Sequence, residues 1–184
     1  METTTKLRPP IAGSYHSFYQ GYIDRVSGRE LRQLSEQQED FIRSVYTGLK
    51  PGNATKGYRE GKWSLNQLLG HILDTEKIMH FRALCISRGE QAAFPGFDQD
   101  AYVRMANFDD LSPQQLLRAF LLHRQLLWEF IGQVPAGQWS CQGTVSGHPM
   151  SLAALIHIIF GHLEHHIDGI RKHYGGFLPG GIAL

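Results

Sequence analysis

The stretch Ser151–Tyr174, SLAALIHIIFGHLEHHIDGIRKHY, decides the fold. Ser151 is a good helix N-cap, and Gly175-Gly176 follows as a stop, because glycine accepts the left-handed conformation that ends helices. At about 100° per residue, Leu155, Ile159, His162, His166 and Ile170 fall on one stripe. Two histidines therefore occupy core positions. A buried imidazole without hydrogen-bond partners costs roughly 1–3 kcal/mol, so two on one apolar stripe need a shared explanation. Four residues apart on a helix, their rings share a face about 6 Å apart along the axis. From there both can bond one ion, and imidazole is the commonest protein ligand for zinc-like metals. A lone histidine on such a stripe is more often a hydrogen-bonded core residue, so the rest of the chain must separate the two readings.

Working outward, three more helices carry start signals. Ser27 with Glu30 reads as a capping box, stapled by Val26 and Leu31, ahead of Leu31, Leu34, Gln38, Phe41, Val45 and Leu49. Pro51-Gly52-Asn53 ends that helix. Ser64 with Gln67 repeats the box, Trp63 staples onto Leu68, and the second helix runs to about Arg88. Ser112 with Gln115, and Pro113 at the first helical position, open a third along Leu116, Phe120, Leu127 and Phe130 to about Gly132. Residues 1–14 read as an extended arm, and Tyr15–Ile23 as a short helix or a segment lying across the bundle. Two connections, 89–111 and 133–150, are long enough to suggest function or partial structure, and Asp98–Ala106 can form a short helix. No strand alternation of useful length is visible. The expected fold is a single all-α domain over residues 1–184, a four-helix bundle.

Composition narrows the function classes. The chain has 184 residues, enough for a proper core, and a net charge of +1, which gives no polyanion-binding surface. No nucleic acid and no membrane are expected as partners, since no apolar run approaches the ~20 residues of a span. The N-terminus lacks a signal-peptide core, and Cys85 and Cys141 form no C-x-x-C pair, so a reducing, cytoplasmic compartment is expected.

The second helix adds His71, with Leu68, Thr75, Ile78 and Arg82 on its face. Bundles build metal sites from facing helices. His71 with the His162/His166 pair makes a three-histidine site for a divalent ion. Three protein ligands leave a position for water or substrate, which is the catalytic pattern. The E-x-x-H of di-iron bundles, H-E-x-x-H, G-x-S-x-G and the P-loop are all absent.

Several motifs now stand in order: Lys62-Trp63-Ser64, Leu69-Gly70-His71-Ile72-Leu73-Asp74-Thr75-Glu76, Phe81-Arg82-Ala83-Leu84, Phe94-Pro95-Gly96-Phe97-Asp98-Gln99-Asp100 and Gly161-His162-Leu163-Glu164-His165-His166. Together they resemble the DinB/YfiT-like superfamily over roughly residues 20–175. The resemblance implies a four-helix bundle whose three histidines, falling here on His71, His162 and His166, hold nickel or zinc. It implies a metal-dependent hydrolase, or a transferase or isomerase using a low-molecular-weight thiol, acting on a small-molecule substrate, and it implies a homodimer. Tyr15, Phe18, Tyr19 and Tyr22 offer aromatic surface for that pairing. A non-enzymatic bundle with a structural or sensory metal or ligand site is the alternative.

Other residues carry weaker signals. Asp74 and Glu76 flank His71 and can orient ligands through hydrogen bonds, although solvated helix charges are the commoner case. Arg82 points the way His71 does and can bind an anionic substrate or pair with a neighbouring acid. His165 can support the ligands or face solvent or an interface. His80 and His157 fall on the far sides of their helices and read as surface. Glu164, His123, His148 and His173 are lesser candidates. Because ligands must be unprotonated, metal binding is expected to weaken below about pH 6.5.

Overall fold

The computed structural model describes residue 7 and residues 9–180. In chain order the α-helices are α1 (Gln20–Val26), α2 (Leu31–Thr47), α3 (Pro51–Ala54), α4 (Leu65–Ser87), α5 (Gln99–Ala106), α6 (Pro113–Gln133) and α7 (Leu152–His173). The four long ones form the bundle, with α4 against α6 and α7, and α2 against α6 and α7. The expected all-α, four-helix-bundle class is what the chain adopts.

The capping boxes at Ser64/Gln67 and Ser112/Gln115 are both formed. The one expected at Ser27 is not. Ser27 ends α1, and Glu30 itself caps α2, accepting from the backbone N–H groups of Arg32 and Gln33. A carboxylate at the N-cap satisfies two orphan donors and faces the positive end of the helix, so it displaces the box. Pro51-Gly52-Asn53 begins α3 rather than simply ending α2. Asp98 caps α5, as its sequence suggests.

The connection before α7 holds a feature missed in the sequence. Gln142–Val145 (β1) and His148–Ser151 (β2) pair antiparallel in register Val145↔His148. Ser146 (φ 52°) and Gly147 (φ 79°) take the two positive-φ positions of the turn. Four-residue strands are too short for alternation to show. Phe94 extends the hairpin by one residue, its N–H donating to the Thr144 carbonyl at 2.9 Å.

The core has two apolar compartments. Leu34, Met79, Ile86, Leu127, Leu155 and Ile159 belong to one. Phe41, Leu69, Ile72, Phe120, Leu163 and Ile167 belong to the other. The start of α2 and of α7, and the end of α4 and of α6, lie in the first compartment, so α2 and α7 run one way and α4 and α6 the other. Between the compartments every bundle helix places polar side chains. Arg124 donates to Glu76 at 2.5 Å and to the Gln38 side chain at 3.2 Å, and Gln38 donates to the Phe160 carbonyl and to Glu164, both at 2.9 Å.

The arm expected over residues 1–14 lies partly outside the described residues. Ser14 is buried, and its carbonyl accepts from the Ser151 N–H at 2.8 Å. Tyr15, Tyr19 and Tyr22 are only partly available as surface: all three are half-buried and pack on the first compartment, leaving Phe18 exposed. They do so because α1 crosses α7 at Gly161, where a Cβ would stand 2.0 Å from the Tyr22 carbonyl oxygen.

Candidate metal centre

His71 enters the bundle two turns into α4, in a register fixed by the Ser64 cap, and His162 and His166 enter from the middle of α7. The Nε2 atom of His162 lies 3.1 Å from Nε2 of His71 and 3.0 Å from Nε2 of His166. The coordinating atoms of all three fall within 4.8 Å of one another. His71 is 4% and His162 6% exposed, and His166 is half-buried. Trp63 packs on the His71 ring at 4.7 Å, and Tyr22 stands edge-on to His162 at 5.5 Å.

Burial, and then the neighbouring imidazoles, hold this cluster neutral. His71 is lowered to about 4 by burial first and His165 second. His162 and His166 lie well below the ordinary histidine value for the same reasons, His162 through His166 and His71, and His166 through His71 and His165. Three neutral nitrogens aimed at one point cannot satisfy each other, because a proton serves only one pair at a time. A divalent ion accepts a lone pair from each, so the donor set fits the three-nitrogen pattern of catalytic zinc sites. With Nε2 as the donating atom the proton sits on Nδ1. The buried Nδ1 of His162 has no hydrogen-bond partner among the described residues.

The other candidates scatter. Glu76 is not solvated: it is fully buried against Arg124, with burial raising its pKa and Arg124 opposing the rise. Asp74 pairs with exposed Lys77 at 3.4 Å, away from the cluster. Arg82 is 4% exposed and lines a cavity with His71 and His162. His165 is exposed, its ring 5.1 Å from that of His166. His157 is buried rather than on the surface, its Nδ1 2.8 Å from the Ala153 carbonyl, because α1 and the preceding segment cover that side of α7. His80 is also partly covered, packing on Phe130 at 5.0 Å and His123 at 5.4 Å. His148 packs on His16 and His173 on Tyr58. Glu164 pairs with Arg29 at 2.7 Å.

Sequence reasoning missed Arg124 and Tyr22. Arg124 had a signal: it continues the Leu116–Phe120 stripe by one turn, a charge where the pattern calls for an apolar residue. Tyr22 had none, since its place over His162 depends on the α1–α7 crossing.

The cluster lies between two cavities. His165 and His166 line one of about 640 Å³ with Tyr58, Trp63, Lys172 and Tyr174. His71 and His162 line another of about 300 Å³ with Tyr19, Tyr22, Arg82 and Phe97.

A helical bundle with three convergent imidazoles between two cavities defines a candidate metalloprotein of the binding or enzymatic kind. The family model described as the DinB superfamily matches residues 25–169, and the chain belongs to that superfamily. A protein of Oceanobacillus iheyensis named "Putative metal-dependent hydrolase OB0413" is 27% identical over 82 residues, 43% of this chain. That match spans 47%, about half, of the relative's own length. Among solved structures, YfiT from Bacillus subtilis, described as "a probable metal-dependent hydrolase with an unusual four-helix bundle topology", matches with a TM-score of 0.70 at 15% identity over 90% of each chain. A mycothiol-dependent maleylpyruvate isomerase matches with a TM-score of 0.61 at 13% identity, over 90% of this chain and 68% of its own. At such identities the two structures establish a shared fold. No helix among the described residues is long and apolar enough to cross a membrane.

Proposed function

We propose that His71, His162 and His166 hold one divalent ion, zinc or nickel, and that the protein is an enzyme that activates a low-molecular-weight thiol for transfer to a small organic substrate. The observation that carries this reading is the convergence of three neutral Nε2 atoms within 4.8 Å. When bound, such an ion supplies Lewis acidity, which lowers the pKa of a water or thiol enough to make a nucleophile near neutral pH.

The surrounding residues favour the thiol over water. Hydrolysis wants a free carboxylate base, and most acids around the cluster are engaged: Glu76 with Arg124, Glu164 with Arg29 and Gln38, and Asp168 with Arg25, which leaves exposed Asp100, in the larger cavity, as the one without a side-chain partner among the described residues. A thiol is the more acidic nucleophile and needs less proton handling. Exposed His165, in the larger cavity, takes the thiol proton. Two cavities flanking one imidazole cluster suit two reactants, with Trp63 and Tyr22 as apolar walls that exclude water. Metal-dependent hydrolysis is the second reading, favoured by the names of the O. iheyensis and B. subtilis relatives. A purely structural or sensory site would not need cavities of this size on both sides. We expect the protein to act as a homodimer on a small molecule, not on nucleic acid.

Cobalt-substituted protein titrated with a small thiol tests the reading by absorption spectroscopy. A thiolate-to-cobalt band is expected with wild type and not with His162→Ala. No new band at saturating thiol, together with turnover of an ester or amide substrate, would favour hydrolysis instead.

A further inference from the structure

We propose that the smaller cavity is a carboxylate subsite, in which the Arg82 guanidinium takes the anionic head of a small, mainly apolar organic acid and leaves its other end at His71 and His162. This deepens the proposed function, and it rests on that reading only for what the far end of the acid meets.

The observation is a buried cation without a counter-charge. Arg82 is 4% exposed, and its partners are both neutral: the Pro95 carbonyl at 2.6 Å and the Met79 sulfur at 3.6 Å. Among the described residues no carboxylate lies within ion-pair distance of it. Arg124, equally buried in the same bundle, has Glu76 at 2.5 Å. An arginine cannot escape burial by losing its proton, so an unpaired one is strongly unfavourable unless something supplies negative charge. The guanidinium carries five N–H donors in a planar fork; two are engaged here, and the rest suit the two oxygens of a carboxylate.

The cavity defines the rest of the ligand. Phe18, Phe97, Met79 and Ile158 contribute apolar wall, and Tyr19 and Tyr22 add rings with hydroxyls. Thr75, Gln99 and Ser146 complete a lining of mixed character in which Arg82 is the one cation, and a single positive charge matches a monoanion better than a dianion such as phosphate. At about 300 Å³ the space is at the small end for ligand pockets. Arg82 and His71 are eleven residues apart on α4, about 16 Å along the axis and only about 20° apart around it. The Arg82 side chain leans back toward the helix N-terminus. An elongated acid with its head on Arg82 therefore points its tail along α4 toward the imidazoles. The wall opposite is fixed: Phe94 pairs with β1, and a Cβ on Gly96 would meet the Ser146 hydroxyl at 3.2 Å.

The competing role for Arg82 is to pin the Phe94–Phe97 loop through Pro95. Calorimetric titration separates the two, using hydrocinnamate and its neutral amide on zinc-loaded and on metal-free protein. The acid is expected to bind more tightly than the amide to both forms. Arg82→Gln should weaken the acid by about ten- to a hundredfold, the loss of one charged hydrogen-bonding partner, and leave the amide and the zinc content unchanged. Arg82→Lys should recover part of the preference for the acid. The proposal is overturned if wild type fails to bind the acid or binds both probes equally. It is also overturned if Arg82→Gln weakens both probes alike, which leaves only the loop role, or if the preference survives Arg82→Gln or needs zinc, which assigns the acid to the ion. Absence of zinc in loaded wild type would fail the metal reading alone, since the metal-free titration still reads Arg82.

Discussion

Two buried polar clusters sit side by side in this bundle, and they are built on opposite principles. At the waist, Arg124, Glu76, Gln38 and the Phe160 carbonyl join unlike groups, cation to anion and donor to acceptor. A few residues along, His71, His162 and His166 bring together three groups of one kind. The first cluster is closed in charge, Arg124 against Glu76, although Glu76 Oε2 and Arg124 Nε have no hydrogen-bond partner among the described residues. The second cannot close itself, and its unmet demand is for an electrophile. Arg82, buried without an acid, makes the matching demand for an anion. Charge-paired groups hold the fold together; groups of a single type brought together without a counterpart are the candidates for binding something else.

The sharpest way to break this contrast is to open the closed cluster. Glu76→Ala leaves Arg124 charged and fully buried, which should cost about 3–5 kcal/mol in urea denaturation. Replacing both, Glu76→Leu with Arg124→Met, should recover most of that loss, because hydrophobic residues of similar volume fill a buried pair's place well. Equal stability of Glu76→Ala and wild type would mean that the pair is not buried in solution.

The histidine cluster should instead show itself through pH. Its folded-state pKa values lie below the unfolded value of about 6.5, with His71 at about 4 and burial the leading cause. Below pH 6.5 the unfolded chain takes up protons that the folded metal-free protein refuses. Stability is therefore full above pH 6.5 and falls as the pH drops toward 4. Melting temperatures measured across that range should fall less for His162→Ala than for wild type; parallel profiles would contradict the burial of the cluster. The same shift lowers the threshold for losing the ion: proton competition at His71 begins near pH 4 rather than at 6.5.

The smallest effect belongs to the surface. Asp74→Asn removes a partly exposed ion pair with Lys77 and should change stability by at most about 0.5 kcal/mol with metal content unaltered. A loss of metal there would restore Asp74 to the site.

Much of this was legible in the chain because helices write their faces into local spacing. Ser64/Gln67, Ser112/Gln115 and the His162/His166 pair are all short-range patterns, and the bundle and the imidazole cluster follow from them. What was not legible depends on contacts distant in sequence. Glu76 looks like any charged helix residue until α6 brings Arg124, 48 positions on, against it. His157 reads as surface until α1 lies over it, and α1 is held there by Gly161. The hairpin escaped because its turn pair, Ser146-Gly147, joins strands too short to show a period.

The central claim, that the open cluster is open for a metal, is tested most directly by elemental analysis after zinc or nickel loading and exhaustive dialysis. Wild type should keep one ion per chain, and His71→Ala, His162→Ala and His166→Ala should each lose it. The same three variants should lose the rise in melting temperature that loading gives wild type, since binding to the native state alone adds stability. His157→Ala, buried on the other side of α7, should keep its ion. Equal metal in wild type and in all three cluster variants would contradict the account.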